Sequence, residues 1–174
     1  IGPLAGLRGE ITVLDGEAYV SRVVDGKVQI DQTWEHQAPF LVYGQVAAWT
    51  PFEVPDTVTD LAGLEAWVAE TARSHGADME RPFPFKVETS NSTLAYHVIA
   101  NLDAGYTVTK PHRELMRFFE VKDIPVSLIG VYSTEHAGVF THHGDATHIH
   151  MASGDKKHAG HTDSVVLGKG ATLF

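Results

Sequence analysis

Two Asp-Gly dipeptides, Asp15-Gly16 and Asp25-Gly26, constrain this chain more than any other feature, because each sits between runs of β-branched and aromatic residues. A two-residue Asp-Gly loop takes positive φ angles that match the right-handed twist of antiparallel strands, which makes it the strongest short hairpin signal. Residues 10–14, 18–24 and 27–30 therefore read as an antiparallel meander. Residues 40–49 include Val42, Tyr43, Val46 and Trp49 and read as a longer strand. Further strands are expected at residues 85–88, 94–100, 126–132 and 164–167. Between residues 60 and 75, Leu61, Leu64, Trp67, Val68 and Ala72 recur with helical period, behind Thr59 or Asp60 as N-cap and ahead of Gly76. Residues 111–119, with Pro111 at the start, read as a short helix. The chain is thus expected to be mixed α/β in the α+β sense, β-rich, with one clear helix.

Composition narrows the class. At 174 residues, with 43% hydrophobic and 20% charged residues, the chain reads as a single domain over 1–174. A net charge of −9 without a Lys/Arg cluster argues against nucleic acid or an anionic membrane as partner. No apolar run approaches the length of a membrane span, so a soluble chain is expected. It begins with Ile rather than Met, as a trimmed or processed product would, and the compartment stays open: cytoplasmic, or exported after loss of a signal. The absence of Cys removes disulfides and thiolate nucleophiles and leaves His, Asp and Glu to hold any metal. No Ser lies in a Gly-x-Ser-x-Gly elbow, which argues against a nucleophilic hydrolase. The glycines near Gly2, Gly6 and Gly9 lack the strand-then-helix context of a phosphate loop.

The chemistry-bearing pattern lies near the C-terminus. In a strand, side chains at i and i+2 share a face, so Thr147-His148-Ile149-His150-Met151 presents two imidazoles side by side. Residues 151–160 include Ser153, Gly154, Asp155 and Gly160 and read as a hairpin that returns the chain and brings His161 alongside. Three nitrogen ligands and an open fourth position suit catalytic Zn2+, and a His-only set also accepts other first-row divalent ions. His142, His143, His136 and His158 are expected to face solvent, and Glu17 and Glu135 to be solvated charges. From spacing alone Glu10 reads the same way. Trp34, Trp49 and Trp67 are expected in the core.

The run from His148 to His161 resembles the zinc-binding hairpin of bacterial α-acetolactate decarboxylases, which has the same His-x-His, ten residues, His spacing, with Ser153, Asp155 and Gly160 in matching places. The N-terminal run with Leu14-Asp15-Gly16, Glu10 and Tyr19 is similar to that family's Gly-Thr-Phe-x-x-Leu-Asp-Gly-Glu-x-x-x-Leu-Asp-Gly-x-x-Tyr stretch. Ala38-Pro39-Phe40, the helix around Trp67, and Phe85-Lys86-Val87 follow it more loosely. The resemblance implies mixed or antiparallel sheets in two closely packed halves, a homodimer, and Zn2+ held by His148, His150 and His161. It makes Glu10 the active-site glutamate, a proton donor or a partner behind the metal ligands. His97 falls where the family has a catalytic arginine, and a histidine is shorter and lacks the bidentate fork that grips a carboxylate. The family also runs beyond the position of Phe174 into a segment carrying a second glutamate, which is not among these 174 residues. The implied reaction is decarboxylation of the small oxo acid 2-acetolactate to acetoin. Two alternatives stand beside it: metal-dependent chemistry on a different oxo acid, and a catalytically inactive homologue that binds metal or ligand.

Overall fold

The structure, a computed structural model, describes residues 1–102, 111–141 and 144–174. His142 and His143 therefore lie outside the described residues. Two antiparallel sheets carry the chain. The first has the order β1-β2-β3-β4, from β1 (Gly2–Pro3), β2 (Glu10–Leu14), β3 (Glu17–Val24) and β4 (Lys27–Asp31). Its two turns are the Asp-Gly pairs, with φ of 49° and 82° at Asp15 and Gly16 and 50° and 74° at Asp25 and Gly26. Positive φ at both central residues is the I′ geometry that Asp-Gly favours.

The second sheet is built on β6 (Phe83–Ile99) and β7 (Met116–Tyr132), a long antiparallel pair. It continues through β8 (Thr147–Ser153) to β9 (Ala159–Leu167), while the short β5 (Phe52–Glu53) and β10 (Thr172–Leu173) extend the other edge. β9 also pairs with the far half of β6, so β6, β7, β8 and β9 close into a ring of hydrogen-bonded strands. The closure is possible because β6 bends: its register with β7 shifts between Thr89 and Leu94. Gly160 permits the seam, since a Cβ there would lie 2.5 Å from the carbonyl oxygen of His97. The core lines this ring with Tyr96, Val98, Leu94, Leu128 and Met151, all essentially buried.

α1 (Leu61–Ser74) packs Leu64, Val68 and half-buried Trp67 on that core. Asp60 caps it by accepting from the Gly63 N–H at 2.8 Å, and Gly76 at φ 81° ends it. Four expectations need correction. Residues 40–49 form no strand: Phe40, Leu41, Tyr43 and Val46 are exposed, and although the Val42 N–H donates to the Ile1 carbonyl at 3.0 Å and the Ile1 amino group to the Val42 carbonyl at 2.7 Å, no ladder grows from that pair. β-propensity measures fit to a half-buried pleated surface, and this segment has none. The separate strands at 85–88 and 94–100 are one bent strand. The helix at 111–119 shrinks to α2 (His112–Leu115), because Met116 to Phe119 pair with Ile99 to Tyr96 and the ladder outweighs one marginal turn of helix. Trp34 is 65% exposed and Trp49 only half-buried, both outside the core. No described helix is long and apolar enough to cross a membrane.

Candidate metal centre

Strand register brings the histidines together. His97 on β6 stands directly opposite His161 on β9, and His161 directly opposite His150 on β8, so three rings form one row across three strands. His148 lies two residues from His150 on the same face. Ring centroids are 4.6 Å apart for His97 and His161, 5.0 Å for His148 and either of its neighbours, and 5.6 Å for His150 and His161. The Nε2 atoms of His148 and His150 are 3.2 Å apart. His97, His148 and His161 line a cavity of about 390 Å³ with Glu10, His112 and Thr141. None of the described residues lining it is Lys or Arg.

The first sheet supplies the other side of the site. Glu10 and Thr12, two apart on β2, reach His150 together: Thr12 Oγ1 is 2.9 Å from Nδ1, and Glu10 Oε2 is 4.0 Å from Nε2. Glu10 is 2% exposed, and burial pushes its carboxyl up to about 8. The nearby Asp163 charge adds to the rise, while the Ile99 N–H donated to Oε1 at 3.4 Å opposes it. In the metal-free chain Glu10 therefore carries a proton at neutral pH. His150 is fully enclosed, and burial first, then the neighbouring imidazoles, hold it well below the usual histidine range. It is neutral, and in the tautomer whose Nδ1–H donates to the Thr12 hydroxyl, Nε2 is the nitrogen that would be offered to an ion shared with His148.

Within this donor set the His148–His150 pair has the spacing of two ligands on one small divalent ion. Two nitrogens sharing one tetrahedral zinc at about 2.0–2.1 Å are roughly 3.3–3.4 Å apart, close to the His148–His150 separation. An overlapping group, His97, His161 and Asp163, has ligand atoms all within 4.8 Å of one another and could also hold a metal. In that group, however, His97 Nδ1 already bonds Asp163 Oδ1 at 2.7 Å.

All five residues expected at the site, Glu10, His97, His148, His150 and His161, are brought to it. Reading the chain as sequence missed Thr12 and Asp163, although each stands two residues from a chosen one, Glu10 and His161, on its own strand. His158 is not at a solvated tip: it is half-buried, its Nδ1 2.7 Å from the Tyr96 hydroxyl. His136 is half-buried too, bonded to Ser133 Oγ at 2.8 Å and stacked on Phe140, which borders the cavity. Glu17 and Glu135 are exposed, as expected, and Glu17 pairs with Lys156.

Comparison with known proteins places this arrangement in context. The chain matches the family model described as alpha-acetolactate decarboxylase over residues 1–173. No match is found among curated proteins. Alpha-acetolactate decarboxylase from Bacillus subtilis strain 168 has a similar structure, with TM-score 0.76 and 16% identity over 99% of this chain and 70% of that one. A Staphylococcus aureus protein of unknown function, similar to alpha-acetolactate decarboxylase, gives TM-score 0.77 and 16% identity over the same shares. Acetolactate decarboxylase from Bacillus subtilis subspecies spizizenii gives 0.75 and 15%, again over 99% and 70%.

Proposed function

The chain belongs to the alpha-acetolactate decarboxylase family, and from that premise we propose that it is a zinc-dependent carboxy-lyase converting 2-acetolactate to acetoin and CO2. The observation that carries the proposal is the pair of Nε2 atoms 3.2 Å apart, with His161 in register beside them and a protonated Glu10 next to His150. His148, His150 and His161 would hold the ion. Zinc there supplies a Lewis acid for charge that collects on substrate oxygen as the C–C bond breaks.

The chain's own groups account for the rest. Loss of CO2 breaks the bond from the carboxylate to the hydroxyl-bearing carbon and leaves its electron pair in an enediolate. Glu10, which holds its proton because ionising it in this buried place is costly, delivers that proton to the carbon and completes acetoin. His97 lines the cavity; the resemblance aligns it with the family arginine, which makes it the group offered to the substrate carboxylate. The surrounding Phe40, Ile99 and Phe140 exclude water and suit the substrate methyls. The further implication of a homodimer is part of the same proposal and is read by sedimentation.

One observation favours a second reading. Without Lys or Arg among the described lining residues, and with a histidine in place of the guanidinium, the cavity suits a differently shaped or less anionic oxo acid. Racemic 2-acetolactate supplied to zinc-loaded protein decides between them. Acetoin formation abolished by His150→Ala supports the first reading. Stoichiometric zinc without acetoin shifts the assignment to another oxo acid, found by turnover in a screen of small oxo acids, or to an inactive binder that shows saturable binding alone.

A further inference from the structure

Asp163 is skipped by the ladder between β6 and β9. Tyr96 stands opposite Thr162 and Ala95 opposite Ser164, which makes Asp163 the extra residue of a β-bulge two positions after His161. Bulges bend a strand and re-aim a side chain. Here the inserted carboxylate faces two rings of the centre at once: its Oδ1 is 2.7 Å from Nδ1 of His97 and 3.9 Å from Nδ1 of His161. A carboxylate can only accept, so Nδ1 of His97 carries the ring proton and Nε2 is the nitrogen left for the cavity that His97 lines. The two rings stack at 4.6 Å with 25° between their planes, so neither turns without displacing the other.

We propose that Asp163 is the positioning residue of this centre: one carboxylate, delivered by a bulge, holds His97 with Nε2 toward the cavity and backs the ring of His161. The inference rests on reading the site as a metal centre. It deepens that reading by tying the group that meets substrate to a metal ligand through a single side chain. A packed histidine can still present either nitrogen or either tautomer; the carboxylate delivered by the bulge fixes one of them, a direction that the planar guanidinium fork has by itself. At 3.9 Å Asp163 acts on His161 as a nearby charge rather than as a hydrogen-bond acceptor, so its loss should weaken metal binding at the low end of the about 10–100-fold seen when a ligand histidine loses its carboxylate partner.

Two measurements test this without turnover. In imidazole nitrogen NMR of the metal-free protein, with the His97 signal assigned through His97→Gln, the native chain should show a fixed Nδ1–H tautomer. Asp163→Asn should show a mixture. In competition with a chelator, Asp163→Asn should bind zinc about 10-fold more weakly or worse. Asp163→Ser, which keeps the bulge and removes the carboxylate, serves as the second variant should the first fold poorly. Variants with the native tautomer and native zinc affinity overturn the proposal. A native chain that takes up no zinc defeats the metal-centre reading instead, and the tautomer measurement alone then decides whether Asp163 positions His97.

Discussion

Glu10 joins stability to chemistry at the residue scale. Its carboxyl is raised from 4.5 to about 8, so the folded chain keeps a proton that the unfolded chain gives up above about 4.5. The sign follows from linkage: this contribution to stability is fully present below the unfolded value and is lost as pH rises through the folded one. Glu10→Gln, neutral at every pH, should therefore gain stability relative to the native metal-free chain progressively from pH 4.5 to about 8. Urea denaturation across that range checks it, and taking the difference cancels the opposite contribution of His150. A flat difference would show Glu10 already ionised. With zinc loaded, the same variant should lose at least about 100-fold in turnover while keeping its metal, as expected of a general acid. The histidines proposed as ligands were legible because i, i+2 spacing and a return turn are local signals. Thr12 and Asp163 were not, since nothing in one strand's sequence says which other strand it will face.

Elements were legible where a turn or period marks them and illegible where pairing decides. The two Asp-Gly hairpins and α1 needed only their own residues. β6 needed its partners: read alone, Asn91-Ser92 interrupts it, yet the ladders of β7 and β9 carry it through. The failure at 40–49 has the same root in reverse, an apolar segment that meets the chain beside β1 at Val42 and Ile1 without extending into a ladder. The seam between β6 and β9 gives a prediction at this scale. Gly160→Ala would place its Cβ 2.5 Å from the His97 carbonyl oxygen and 2.9 Å from the Tyr96 ring. Relieving that overlap should cost about 1–3 kcal/mol in stability and spread His161 from His97. The first effect is read from the denaturation midpoint and the second from weakened zinc binding. Native values for both would place the seam elsewhere.

Across the whole molecule, the two sheets meet at buried and half-buried polar contacts. Lys86 on β6 holds Asp15 of the first hairpin at 3.0 Å, Thr12 bonds His150, and Glu10 accepts from Ile99. The β-rich class and paired halves were legible in the sequence through turn spacing and family resemblance; the way the halves share one site was not. We propose that residues 1–174 unfold as one domain, and the expected outcome is a single calorimetric transition in the metal-free protein, with van't Hoff and calorimetric enthalpies equal. Two resolved transitions would separate the halves. The ring of β6, β7, β8 and β9 carries a further consequence. The strands holding His97, His150 and His161 pair on both sides over those residues, so they cannot fray singly, and their amides should exchange with solvent only through global opening. A chelator should then strip zinc loaded at the proposed site and leave amide protection in β8 and β9 intact, because the cup is held by strand pairing rather than by the ion.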